Sequence, residues 1–200
     1  MRQYAEKFGA IFWILAIQYY LVQIIAALAW KSPYSLSNNY ISDLGNTVCG
    51  IYANKSVCSP LHSAMNFSFI LLGVCTILGV ILLFKQAWVG KVLVGLGGVG
   101  LILVGLFPEN TIFSLHYLGA VLAFVPGNIG MIVIGFSLQG WRRYFSIAMG
   151  LIGAVGTILF SKGVTIGIGM GGMERVAAYP LSIWMIILGT SYILELSGDR

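Results

Sequence analysis

Ser42 and Asp43 stand side by side in a polar stretch, and two histidines, His62 and His116, lie further along the chain. A serine, a carboxylate and an imidazole are the side chains of a nucleophile, an orienter and a base. Adjacency alone does not make Ser42 and Asp43 part of a triad, because neighbouring side chains diverge. Glu109 adds a carboxyl group suited to general acid–base work. The catalytic candidates are therefore Ser42, Asp43, His62, Glu109 and His116. Asp43, His62, Glu109, His116 and Glu174 also supply the ligand types of a zinc or similar site. No HExxH or comparable spacing joins them, so zinc rests on ligand types alone. The two histidines match haem ligation in type, but their carboxylate-rich surroundings suit it less well. Asn66, Glu174, Arg175 and Tyr179 are binding candidates, with Arg175 placed to hold an anionic headgroup or to balance Glu174.

The elements that must position these residues are apolar. Of 200 residues, 58% are hydrophobic and only 8% charged, against about 25% charged in soluble domains. That balance excludes a soluble enzyme, a disordered chain and a secreted disulfide scaffold. The expected fold is an all-α membrane protein, one domain of six transmembrane helices, spanning about 8–30, 64–84, 88–107, 115–138, 144–160 and 176–194. The first span is too long for a signal-peptide core and has no small-residue cleavage site after it, so it reads as a mature helix. The net charge is +5, and the basic residues sit singly or in pairs at span ends. That pattern suits membrane anchoring and lipid partners rather than nucleic acid. A GxGxxG match at Gly95–Gly100 lies inside an apolar span with no strand before it. It reads as close helix packing, not as a nucleotide cofactor site.

Charge bias sets the orientation. Arg2, Lys7, Lys85, Lys91, Arg142, Arg143 and Arg200 fall on one side, against Lys31, Lys55, Lys162 and Arg175 on the other. Seven against four places both termini in the cytoplasm of a multi-pass cell-membrane protein. Asp43, His62, Glu109, His116, Glu174 and Arg175 then share the outer face. They either line a polar pocket or are simply loop charges. Spacing favours the pocket: His62 and Asn66 are i, i+4 on the second span, and Arg175 and Tyr179 repeat the arrangement on the sixth.

The connections carry further signals. Cys49 and Cys58, with eight residues between them, are expected to form a disulfide on an oxidising side. Cys75 reads as a small core residue. Asn54-Lys55-Ser56 is a glycosylation sequon. Trp30, Trp88 and Trp141 read as interfacial anchors. Pro126-Gly127-Asn128 interrupts the fourth span, as a tolerated kink or as the broken helix of a substrate site. The Gly-rich stretch from Gly163 to Gly172 reads as a lid, a re-entrant turn or a plain connector.

Five elements in fixed order carry a family resemblance. They are Tyr40-Ile41-Ser42-Asp43-Leu44-Gly45, Met65-Asn66-Phe67, Gly105-Leu106-Phe107-Pro108-Glu109, Leu115-His116-Tyr117-Leu118-Gly119-Ala120 and Gly172-Met173-Glu174-Arg175. Together they resemble the prokaryotic membrane family called domain of unknown function 998, over roughly Tyr34 to Leu194. More remotely, the pattern is similar to the ceramidase and adiponectin-receptor superfamily of transmembrane hydrolases. That likeness implies a serine, an aspartate and three histidines around zinc, whereas this chain has two histidines. The leading expectation is a membrane hydrolase acting on a lipid or lipid-linked substrate. The alternative is a non-catalytic lipid-binding, sensing or scaffold protein whose outer cluster is a structural network. A small-solute transporter comes third.

Overall fold

The computed structural model describes residues 2–31 and 33–198; Asp199 and Arg200, both counted in the charge analysis, lie outside them. Helix α1 (Arg2–Ile14) is followed after a short break by α2 (Ile17–Leu28), and the pair forms the first span. The long connection holds a 3₁₀ turn (Ser42–Gly45) and a hairpin of β1 (Gly50–Tyr52) and β2 (Lys55–Val57). Five more helices complete the bundle: α3 (His62–Leu83), α4 (Trp88–Leu106), α5 (Phe113–Phe136), α6 (Gly140–Ser161) and α7 (Gly169–Gly198).

Six helical stretches are long and apolar enough to cross a membrane. At about 1.5 Å per residue, the 22 residues of α3 reach roughly 33 Å, matching the hydrocarbon core of about 30 Å. Large apolar side chains on the outer faces, among them Leu21, Ile25, Phe67, Val92, Val155 and Ile158, are exposed. Such a belt is expected where lipid, not water, is the surrounding solvent.

Each helix from α3 to α7 packs on the next, and α1 closes the ring by packing on both α3 and α7. Glycines let α4 and α5 approach closely. A Cβ at Gly119 would lie 2.8 Å from the Gly100 carbonyl oxygen, and one at Gly130 would lie 2.8 Å from the Val94 nitrogen. Of the GxGxxG glycines, Gly97, Gly98 and Gly100 serve such contacts, while Gly95 has nothing near it. At the centre Trp13 of α1 packs on Trp184 of α7, with ring centroids 4.6 Å apart.

The first span departs from a straight helix. Around Leu15–Ala16 the hydrogen bonds shorten to i→i−3, from Ala16 to Trp13 and from Gln18 to Leu15, which tightens and redirects the chain. Beyond the break, Gln18 and Ser68 exchange two hydrogen bonds, Gln18 Nε2 to Ser68 O at 3.2 Å and Ser68 Oγ to Gln18 Oε1 at 2.8 Å. An amide in lipid needs such partners, and these draw α2 onto α3. Thus α1 packs on α7, while α2 leans towards α3.

Several expected boundaries shift. Pro126 lies within a continuous α5, and no break opens there. Neighbouring helices can satisfy the carbonyl that a proline leaves free. Asn128 instead braces α5, giving Nδ2 to the Ala177 carbonyl of α7 at 3.2 Å and to Thr157 of α6 at 3.4 Å. The sixth span starts earlier than expected, at Gly169, so the last four residues of the Gly-rich stretch are helical and the connector shrinks to 162–168. Trp88 and Trp141 are exposed at the starts of α4 and α6, as anchors should be. Trp30 is buried instead, edge-on to Tyr34 at 5.2 Å.

Candidate functional site

Residues from four segments converge at the end of the bundle that carries the long connection. The centre is the 3₁₀ turn, all four of whose residues are buried. Asp43 shapes the approach to this turn: its Oδ2 accepts the Tyr40 backbone N–H at 2.8 Å and the Asn39 amide at 3.3 Å. Ser42 Oγ donates to Glu109 Oε2 at 2.9 Å, and Asn46 Nδ2 reaches Glu109 Oε1 at 3.4 Å. Burial, and then the Asp43 carboxylate beside it, push the Glu109 carboxyl up to about 8. Buried carboxyl groups that share a site with another carboxylate hold their protons more tightly.

Two residues of α7 grip the irregular segment before the turn. Glu174 Oε2 accepts the Ile41 backbone N–H. Arg175 Nη1 donates to the carbonyls of Leu36 at 3.0 Å, Asn39 at 3.0 Å and Gly171 at 2.7 Å, and its Nη2 donates to the Tyr34 hydroxyl at 2.6 Å. The Tyr34 hydroxyl passes its own proton to the Tyr40 carbonyl at 2.7 Å. Burial raises the Tyr34 phenol, so it stays a neutral donor. From α3, Asn66 Nδ2 donates to the Gly45 carbonyl at 2.9 Å. His116 meets the Phe107 carbonyl at 2.9 Å through Nδ1 and so ties α5 to the end of α4.

The hairpin closes over the top. Its two-residue turn, Ala53–Asn54, has positive φ at both positions, 45° and 62°, the geometry of a type I′ hairpin. Cys49 and Cys58 are joined by a disulfide across its base. Tyr52 donates to the Glu109 carbonyl at 2.8 Å, and Asn110 bonds Thr47 twice, at 3.1 and 2.9 Å.

Among the spaces that border this cluster, two meet its charged side chains on α7. One is a small cavity of about 40 Å³ inside the ring, where Ser42, His116 and Glu174 face Phe69, Leu101 and Leu181. It has room for water but not for a lipid. The other is a groove of about 730 Å³ lined by α2, α7 and the connection that follows α2. Its floor is Tyr20, Gln23 and Tyr179, and its far wall is Leu36, Leu44 and Arg175. Ile24 and Leu28 form the α2 wall and are 57% and 82% exposed, so the groove opens on the bundle's apolar flank. Glu174 and Arg175 divide the two spaces between them, the glutamate lining the cavity and the arginine the groove.

The structure thus brings Ser42, Asp43, Asn66, Glu109, His116, Glu174 and Arg175 together. Tyr179 lies on the groove floor and donates to Gln23 Oε1 at 2.9 Å. His62 stands apart as the first residue of α3, where its ring nitrogen reaches only Ser63, at 3.3 Å. The i, i+4 spacing put it near Asn66, but a helix start projects above the bundle end. Among the described residues, no three His, Cys, Asp or Glu side chains converge as metal ligands. Gln23, Tyr34 and Asn46 were not singled out in the sequence. The one available signal was Gln23, a polar residue inside an apolar span.

The comparisons give a family and add no activity. No curated protein matches the chain, and neither does any solved structure. A family model described as "Protein of unknown function (DUF998)" matches residues 14–191, a stretch that takes in the break in the first span, the buried turn and both walls of the groove, and the chain belongs to that family.

Proposed function

We propose that this multi-pass membrane protein binds a membrane amphiphile in the groove between α2 and α7, and that the polar cluster is the latch holding the groove's wall in place. The observation that carries the reading is the groove itself. Its volume of about 730 Å³ falls in the usual range for small-molecule sites, and an apolar chain can enter from the flank without crossing the polar loop. The latch reading follows from hydrogen bonding. The side chains of Asp43, Glu109, Glu174 and Arg175 all spend their groups on the turn or the irregular segment before it. Charged groups at a membrane either pair or line a cavity, and here they chiefly pair with backbone. The test is native mass spectrometry of the detergent-purified protein. It should retain phospholipid through delipidation, and Ala27→Phe, which narrows the groove, should lose it. Equal retention by both proteins overturns the reading.

A second reading, a lipid hydrolase, is favoured by the Ser42–Glu109 bond, which pairs a hydroxyl with a carboxyl group. It ranks second because a carboxyl with its value near 8 carries its own proton at neutral pH, and a protonated carboxyl is no base. Hydrolysis by this pair would therefore rise with pH through 8 and vanish in Ser42→Ala. Release of fatty acid from phospholipid nanodiscs measures it.

A further inference from the structure

We infer that the groove recognises an anionic headgroup, a phosphate or carboxylate carried by a membrane lipid, through Arg175 and Gln23. The inference rests on the lipid-binding reading above and adds the chemistry of the head.

Two polar atoms that line the groove's residues have no partner, Gln23 Nε2 and Arg175 Nε. Both residues are more than nine-tenths buried, at 5% and 8% exposure. Both atoms are donors, so the missing partner is an acceptor. Unmet donors are costly in lipid, where no water can stand in. Gln23 lies five residues before the end of α2, so at 1.5 Å per residue it sits about 8 Å inside the helix end.

The guanidinium says more. Nε and Nη2 form the side edge that meets phosphate or carboxylate in bidentate fashion. Nη2 gives one bond, to Tyr34, and Nε gives none, while Nη1 takes up all the loop carbonyls. The loop thus holds one end of the guanidinium, and of the side edge Nη2 is met by Tyr34 while Nε is left without a partner. Its charge is only partly offset, by the neighbouring Glu174 carboxyl, and it forms no ion pair: the ion pairs among the described residues are Arg2–Glu6 and Arg142–Glu195, both at the opposite end of the bundle. Lys31 lines the groove too and adds a second positive charge. Among the described residues, no carboxylate lines the groove to oppose them. An anion at this edge would answer the unmet donor and the unbalanced charge together, while Ile24, Ala27, Leu28 and Leu36 would receive the chain beneath it.

The test compares dioleoyl phosphatidylglycerol with dioleoyl phosphatidylcholine, titrated into the delipidated full chain and read by native mass spectrometry. The chains are identical, so only the head differs. The expected result is at least a ten-fold preference for phosphatidylglycerol, reduced several-fold in Gln23→Leu and in Lys31→Gln. Lys31→Gln removes no side-chain bond and should keep the parent's melting temperature, whereas Gln23→Leu gives up the Tyr179 bond and should melt lower. Arg175→Lys should lose most of the preference, but it also loosens the loop, and Lys31→Gln therefore decides the matter. Glycerol 3-phosphate at millimolar concentration should not displace the lipid; if it does, the groove takes a free anion and the lipid assignment falls. Equal binding of the two lipids overturns the anionic head and leaves lipid binding standing. Binding of neither overturns both.

Discussion

Glu109 offers the sharpest test of the latch. Its carboxyl has an ordinary value of 4.5 and is held near 8 at the site by burial and by Asp43. The folded protein therefore keeps the proton up to about pH 8, while the unfolded chain releases it near 4.5. The native state binds more protons across that window, so the stabilisation is complete below 4.5 and is lost as pH rises towards 8. One unit is about 1.4 kcal/mol, which sets a ceiling of about 5 kcal/mol for this group. Glu109 keeps a 6% exposed edge and shares the proton's binding site with Asp43, so we take roughly half, ~2 kcal/mol. For a chain of this length that is about 4–8 °C in melting temperature. The perturbation is Glu109→Gln, which keeps an acceptor for Ser42 and cannot titrate. Melting followed by tryptophan fluorescence from pH 5 to 8.5, at constant ionic strength in one detergent, should show the parent losing stability relative to the variant by that amount. The difference between the two proteins reads Glu109 together with the Asp43 and Glu174 carboxyls that act on it. Parallel curves, or a parent that gains on the variant as pH rises, would refute the reasoning.

Three further outcomes are expected. Reducing the Cys49–Cys58 bridge, or replacing both residues with serine, removes a closed loop of about ten residues and should cost about 2.5–3 kcal/mol on the chain-entropy model, read as a lower melting temperature in the oxidised-minus-reduced comparison. Gly130→Val should be severely destabilising, by more than about 3 kcal/mol, because the added carbons meet Val94 backbone and side chain at 2.7–2.8 Å; loss of the monodisperse peak on size exclusion checks it. His62→Ala should leave melting within about 0.5 kcal/mol of the parent, whereas His116→Ala should cost about 1–2 kcal/mol by freeing the Phe107 carbonyl. Equal effects would contradict the placement of the two rings.

The six spans were legible because twenty apolar residues in a row admit few alternatives. The gathering of Asp43, Glu109, His116, Glu174 and Arg175 was legible too, since topology alone sends their segments to one end of the bundle. What they do there was not. Nothing in Ser42-Asp43 shows that the aspartate turns back onto Tyr40 while the serine reaches forward to Glu109. The hairpin escaped notice because its turn residues, Ala53 and Asn54, lack the glycine that usually announces positive φ. The break in the first span has no proline or glycine to mark it; it comes from where Gln18 finds its partners. Gln23 became informative only once its neighbours were known, because a lone polar residue in an apolar run says that something is satisfied, not what.

That break also makes α2 a lever. Its 12 residues reach about 18 Å from the pivot at Leu15–Ala16, so a rotation of about ten degrees there carries Leu28 through roughly 3 Å. That is close to the 3.5–4 Å separation of two carbon atoms in contact. The Trp13–Trp184 packing lies on the other side of the pivot and need not be disturbed. The bonds from Tyr20 to Ser182 and from Tyr179 to Gln23 fix that angle, so a few side chains set the width of this one seam while the rest of the wall is held elsewhere.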